Sequence, residues 1–231
     1  MSPTATESPV LDEREVLEDV AIDLGGVPPG LPPDPWDDRP PPREPEWRPS
    51  LGNARLAMLM FLGTEAVFFA GFIGAFLVLR LSAPVWPPPA QPRLPVEVTG
   101  INTAILLASG YTMVRALRAV RRGDQAGLLT GLGQTALLGA AFLGVQGYEW
   151  ARLLSFGLTV TSGAYGGTFY TLIGLHGVHV LGALAWLLIT LARARQGRFT
   201  PRQHVGATLC GMYWCFVVGL WPILYLLVYL A

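Results

Sequence analysis

Seven polar side chains lie inside or at the ends of long apolar runs, where water cannot solvate them: Glu65, Asn102, Gln146, Tyr148, Glu149, His176 and His179. Glu65 is the only formal charge between Leu56 and Leu79, a run closed by Arg55 and Arg80. A bare carboxylate in hydrocarbon costs several kcal/mol, so Glu65 must be paired, protonated or turned toward a protein interior. At about 1.5 Å of rise per helical residue, Glu65 falls near the middle of its run and His179 near the middle of another, so the two can meet at one depth. A carboxylate facing an imidazole can share or relay a proton. His176 lies about one turn further along the same helix and points roughly 60° away from His179. Gln146, Tyr148 and Glu149 gather at the end of a third run.

Other chemistries fit these residues less well. A haem held by two histidines needs them at matching depth on separate helices. Here His176 and His179 share one helix, and His204, the third histidine, opens a different run at the other end. A di-metal centre of the helical-bundle type uses more carboxylates than Glu65 and Glu149 supply. Cys210 and Cys215 are five apart, do not share a helix face, and build neither a disulfide nor a metal framework. Ser109, Ser155 and Ser162 lack a nearby His–Asp pairing, and no glycine loop precedes a helix in a phosphate-binding context. The reading from the residues is a buried, hydrogen-bonded polar cluster, structural in the first place, with lipid-headgroup and proton-related roles open beside it, and with no catalytic residue, no metal site and no nucleic-acid footprint.

The elements that hold these residues are membrane helices. Apolar residues make up 52% of the chain and charged ones 14%, against about 25% charged in an average soluble domain, and mean hydropathy is +0.43. Five candidate spans of near the required length follow residue 50, at about 56–79, 98–117, 126–147, 168–192 and 205–230. They predict an all-α fold of five transmembrane helices over residues 51–231. Gly127, Gly131, Thr135 and Gly139 place a small residue at every fourth position of span three, and Gly166, Gly167, Gly174, Gly177 and Gly182 crowd span four. Such spacing lets backbones approach within a packed bundle. Pro222 is expected to kink span five.

Residues 1–50 form an acidic, proline-rich tail, with twelve carboxylates against four arginines for a net charge of −8, while the remainder carries +8. The start is acidic and polar, unlike a secretory signal, so span one is expected to stay in the mature chain. Arg115, Arg118, Arg121 and Arg122 follow span two, and Arg193, Arg195, Arg198 and Arg202 follow span four; the opposite side has Arg80, Arg93 and Arg152. The positive-inside rule places the tail in the cytoplasm and Ala231 outside. The tail is expected to lie along cytoplasmic faces of neighbouring subunits, by charge complementarity.

Five motifs in order resemble subunit III of haem–copper cytochrome c oxidases. They are Gly63-Thr64-Glu65-Ala66-Val67-Phe68-Phe69, Asn102-Thr103 through Ser109-Gly110, Gln146-Gly147-Tyr148-Glu149-Trp150, Tyr165-Gly166 with Gly174-Leu175-His176-Gly177-Val178-His179-Val180, and Tyr213-Trp214 with Phe216-Val217 and Trp221. The resemblance covers Leu51 to Ala231. It implies a five-helix bacterial form without the two leading helices of longer relatives, and an accessory, non-catalytic subunit of a terminal oxidase in the cytoplasmic membrane. It further implies that the chain packs on catalytic subunit I, carries no redox centre while haem and copper sit in partner subunits, supports proton uptake, and binds phospholipid in a cleft. By the same resemblance Glu65 matches the family's carbodiimide-reactive carboxylate. Two family histidines are replaced here, by Val78 and by Cys215, and Arg80 stands near the first as a substitute phosphate ligand. Quinol oxidase and nitric-oxide-reductase-associated relatives share this layout, and sequence does not separate them. From a different class, an independent proton-coupled transporter would use Glu65 and His179 as a relay, but no internal repeat of the kind transporters carry is evident.

Overall fold

The computed structural model describes residues 51–89 and 94–230. The tail of residues 1–50, and with it the expected docking of that tail, lies outside the described residues, as does Arg93.

Five helices make up the described chain: α1 (Leu51–Ser82), α2 (Val96–Arg121), α3 (Gln125–Ser155), α4 (Gly163–Arg195) and α5 (Val205–Tyr225). A π turn, Leu226–Leu230, continues α5. The first four helices overrun the apolar stretches that announced them by up to about two turns, because flanking polar and charged residues are good helix formers once the apolar centre has nucleated. Four helices, all but α2, are long and apolar enough to cross a membrane. The chain is thus a multi-pass membrane protein, all-helical among the described residues.

The connections explain the antiparallel order. Gly123 adopts φ +78° just after α2, a left-handed conformation that costs glycine nothing. There the Gly123 N–H donates to Val120 O at 3.2 Å and the Asp124 N–H to Ala119 O at 3.0 Å, satisfying carbonyls the helix end leaves open. Asp124 then caps α3, its side chain accepting from the Gly127 N–H at 2.8 Å. The ends of α3 and α4 repeat the glycine device at Gly157 and Gly197.

Packing follows the small residues. A β-carbon built on Gly139 would lie 2.4 Å from the Trp214 ring, and one on Gly131 would lie 2.7 Å from the Ala116 side chain. At both positions the absence of a side chain is what lets the helices meet. Pro222 sits inside α5, which runs on through it to Tyr225. α1 packs on α4 and α5, and much of its outward surface, including Leu56, Val67 and Leu81, is exposed.

Candidate functional site

Glu65 and His179 occupy the middles of α1 and α4, and these two helices touch. Glu65 Oε2 lies 3.0 Å from His179 Nε2, with both side chains largely buried at 18% exposure. The other ring nitrogen, Nδ1, lies 2.7 Å from the Leu175 carbonyl. A carbonyl only accepts, so Nδ1 carries a hydrogen. Nε2 then faces the carboxyl group with either a lone pair or an N–H. Two bare lone pairs 3.0 Å apart would repel, so the arrangement favours one proton between the two groups, on oxygen or on nitrogen. Either placement leaves the pair with no net charge, which removes most of the cost of placing Glu65 in hydrocarbon. Oε2 has no aligned hydrogen-bond donor, so the contact is one of proximity.

Aromatic rings wall this pair. The His179 ring lies 5.0 Å edge-on from Phe69 and 6.2 Å from Phe68, measured between centroids. Phe69 is fully buried, whereas Phe68 is exposed, so one ring closes the pair toward the bundle and the other covers its outer side.

His176 takes a different direction, as its 60° offset requires. It is 1% exposed and stacks on Trp221 at 5.0 Å with a 26° interplanar angle. Neither of its ring nitrogens has a hydrogen-bond partner. Its ring borders a cavity of about 260 Å³ between α3 and α4, together with Gln146, Trp150 and Phe142.

The remaining residues form a second polar group on α2, α3 and the π turn. Asn102 is buried and donates from Nδ2 to Phe142 O at 3.1 Å, while its Oδ1 has no partner. Gln146 donates from Nε2 to the Tyr229 hydroxyl at 3.2 Å. Glu149 is buried with one oxygen 3.8 Å from Arg152, a half-exposed neighbour one turn on. No hydrogen bond or ion pair among the described residues joins this group to Glu65 and His179. The expected single cluster is therefore two, and Tyr148 belongs to neither. At 64% exposure it departs from the expected burial because it sits about 100° round the helix from Glu149 and about 200° from Gln146.

Arg80, singled out as a phosphate ligand, donates from one guanidinium nitrogen to Leu227 O at 2.9 Å. That bond serves a carbonyl near the chain's last helical turn, where intrahelical partners run out, and ties the end of α1 to the π turn. Reading the sequence missed Tyr229, Trp221 and Phe69 as neighbours of the polar groups. Trp221 stood in the last of the five motifs but with nothing to show that it meets His176, and Tyr229 lies in a leucine-rich run with no distinguishing neighbour. Among the described residues no three His, Cys, Asp or Glu side chains converge as a metal would require.

Comparison with known proteins identifies the family. The family model described as cytochrome c oxidase subunit III matches residues 51–231. A Synechocystis protein named cytochrome c oxidase subunit 3 is 38% identical over 174 residues, covering 75% of this chain and 73% of its own. A Nocardia farcinica protein, named "Probable cytochrome c oxidase subunit 3", is 36% identical over 171 residues, covering 74% and 84%. The Gallus gallus cytochrome c oxidase subunit 3 is 37% identical over 182 residues, covering 76% and 68%. A match over every described helix, holding the Glu65–His179 pair and the buried Asn102, Gln146, Glu149 and His176, places this chain in the cytochrome c oxidase subunit III family.

Proposed function

We propose that the chain is the accessory subunit III of a bacterial haem–copper terminal oxidase in the cytoplasmic membrane, that it packs on the catalytic subunit, and that its own contribution is a proton-sharing pair. The observation that carries this reading is the 3.0 Å approach of Glu65 to His179 in a chain whose whole helical part matches the family. Haem and copper belong to partner subunits in this reading, and the chain itself carries out no redox step. α2 is the fifth span. Its length of 26 residues suffices to cross, and its polar side chains are turned into the bundle. The arginines that end α2 and α4 put that side, with the tail, in the cytoplasm.

The role assigned to the pair is to keep one proton available at mid-depth without a standing charge, so that proton uptake by the neighbouring subunit continues over many turnovers. The lipid cleft implied by the family lies at the outer face of α1, where Arg80 keeps its other N–H donors for a phosphate. Purification from native membranes in mild detergent tests the assignment. The chain is expected to emerge with a haem-containing partner, and emergence alone, without haem in the complex, contradicts it. The electron donor, cytochrome c or quinol, is read from which reductant the purified complex oxidises.

A further inference from the structure

A groove of about 570 Å³ runs between α2 and α3 on the side where these helices are joined, lined by Arg115, Arg118 and Arg122 from α2 and by Thr130 and Gln134 from α3. The three arginines are spaced three and four residues apart and so share one stripe of α2. All three are exposed, and no carboxylate among the described residues lies within ion-pair distance of them. The one acid in the lining is Asp124, whose side chain already accepts from the Gly127 N–H. The groove's polar end therefore has an excess of positive charge, and its guanidinium forks have no carboxylate partner among the described residues.

Followed toward the middle of the helices, the same stripe changes character. Arg115 is succeeded at four-residue steps by Tyr111 and Leu107, which are 62% and 47% exposed. Across the groove Gln134 gives way to Leu137, which is 72% exposed. From Arg122 to Leu107 the stripe spans roughly 22 Å at the rise of an α-helix. A cationic end joined to a long apolar track matches an amphiphile with an anionic head. It does not match a soluble anion, which has no use for Leu107 and Leu137.

We propose that this groove binds an anionic phospholipid, its phosphate held by Arg115, Arg118 and Arg122 and its acyl chains laid along Tyr111, Leu107 and Leu137. Guanidinium groups suit the task because their N–H pairs engage phosphate oxygens two at a time. The site is at the opposite end of the bundle from Arg80, and it does not depend on which enzyme the chain serves. Two other anionic occupants are outcomes of the test: free phosphate, and the chain's own acidic residues 1–50.

Native mass spectrometry of the full-length chain, with whatever partners purify alongside it, separates these occupants. The probes are phosphatidylglycerol, phosphatidylcholine with the same acyl chains, and inorganic phosphate. Phosphatidylglycerol is expected to bind about thirtyfold more tightly than phosphatidylcholine, and the triple variant Arg115→Gln/Arg118→Gln/Arg122→Gln should lose that preference. A triple change to Lys should retain most of it, which separates loss of charge from loss of fold. If the Gln triple variant does not purify, Arg118→Gln alone should weaken phosphatidylglycerol binding about fivefold. Equal retention of the two lipids, or a preference unchanged in the Gln variants, overturns the proposal. Displacement of the lipid by inorganic phosphate alone would mark a soluble-anion site and overturns it too. So does a preference that appears only after residues 1–50 are deleted, since the tail would then be the occupant.

Discussion

α1 is among the most apolar helices of the chain and the least buried of its four apolar spans, with about a tenth of its central window inside the fold. α2 falls outside that apolar set, yet it packs along α3 and α5 and buries Thr99, Asn102, Thr103 and Ser109. In water this order would be inverted, the polar helix outside and the apolar one within. In lipid, apolar surface has no reason to leave its surroundings, so polar groups choose the interface because they find partners there. The Trp221 indole donates to Thr103 Oγ1 at 2.8 Å and the Trp214 indole to Ser109 Oγ at 3.1 Å. Thr112 and Thr135 share a hydrogen bond at 2.8 Å, and the Tyr225 hydroxyl donates to Val96 O at 3.0 Å. α2 is thus held in the bundle core by a ladder of many hydrogen bonds, whereas α1 meets α4 through the Glu65–His179 contact.

Substitutions can break or sharpen that contrast, and the largest effect is expected in the core. Gly139→Val drives a side chain into the Trp214 ring and should destabilise the bundle by about 3 kcal/mol or prevent its assembly, read by thermal unfolding in detergent. Wild-type stability would mean that α3 and α5 do not approach as closely as the geometry requires. Next comes the α2–α5 ladder. A double-mutant cycle on Trp221→Phe and Thr103→Val should return a coupling of about 1 kcal/mol, within the range found for interhelical hydrogen bonds in membranes. A coupling of zero would reduce α2's hold to packing alone.

The pair on α1 should behave differently. Glu65→Leu leaves His179 without its partner and is expected to cost about 1 kcal/mol, while Glu65→Leu/His179→Leu should recover most of that, since an apolar pair of similar size leaves no polar group behind in hydrocarbon. Turnover durability, by contrast, should stay impaired in the double variant. Recovery of both properties would make the pair a packing device. The smallest effect belongs to the outer face of α1, where Val67→Ala should change stability by less than about 0.5 kcal/mol in the isolated chain. A larger effect measured in the complex would locate a partner on that face.

How much of this could be read before the fold was known depends on what depth alone determines. Glu65 and His179 were legible as a pair because each stands at mid-helix and hydrocarbon forces a carboxylate to find a partner. The five helices, their order and the close-packed glycines of α3 were legible for the same reason: apolar length and small-residue spacing are one-dimensional signals. Rotation about the helix axis is not. α1 and α4 are apolar nearly all round, so no amphipathic stripe says which way a side chain points. On α3, too, only depth and not rotation was read, so Tyr148 was expected inside and faces outward. The partners of Arg80 and Gln146 were hidden for another reason, since Leu227 and Tyr229 lie in distant parts of the chain.

The central claim, that Glu65 and His179 form a proton-sharing pair that serves another subunit's chemistry, is tested most directly by oxygen consumption of the intact complex followed over many turnovers. Glu65→Gln keeps the shape of the side chain but cannot exchange a proton. The account expects an initial rate close to that of the unmodified complex and activity that decays earlier as turnovers accumulate. An initial rate and a decay both indistinguishable from the unmodified complex would contradict it.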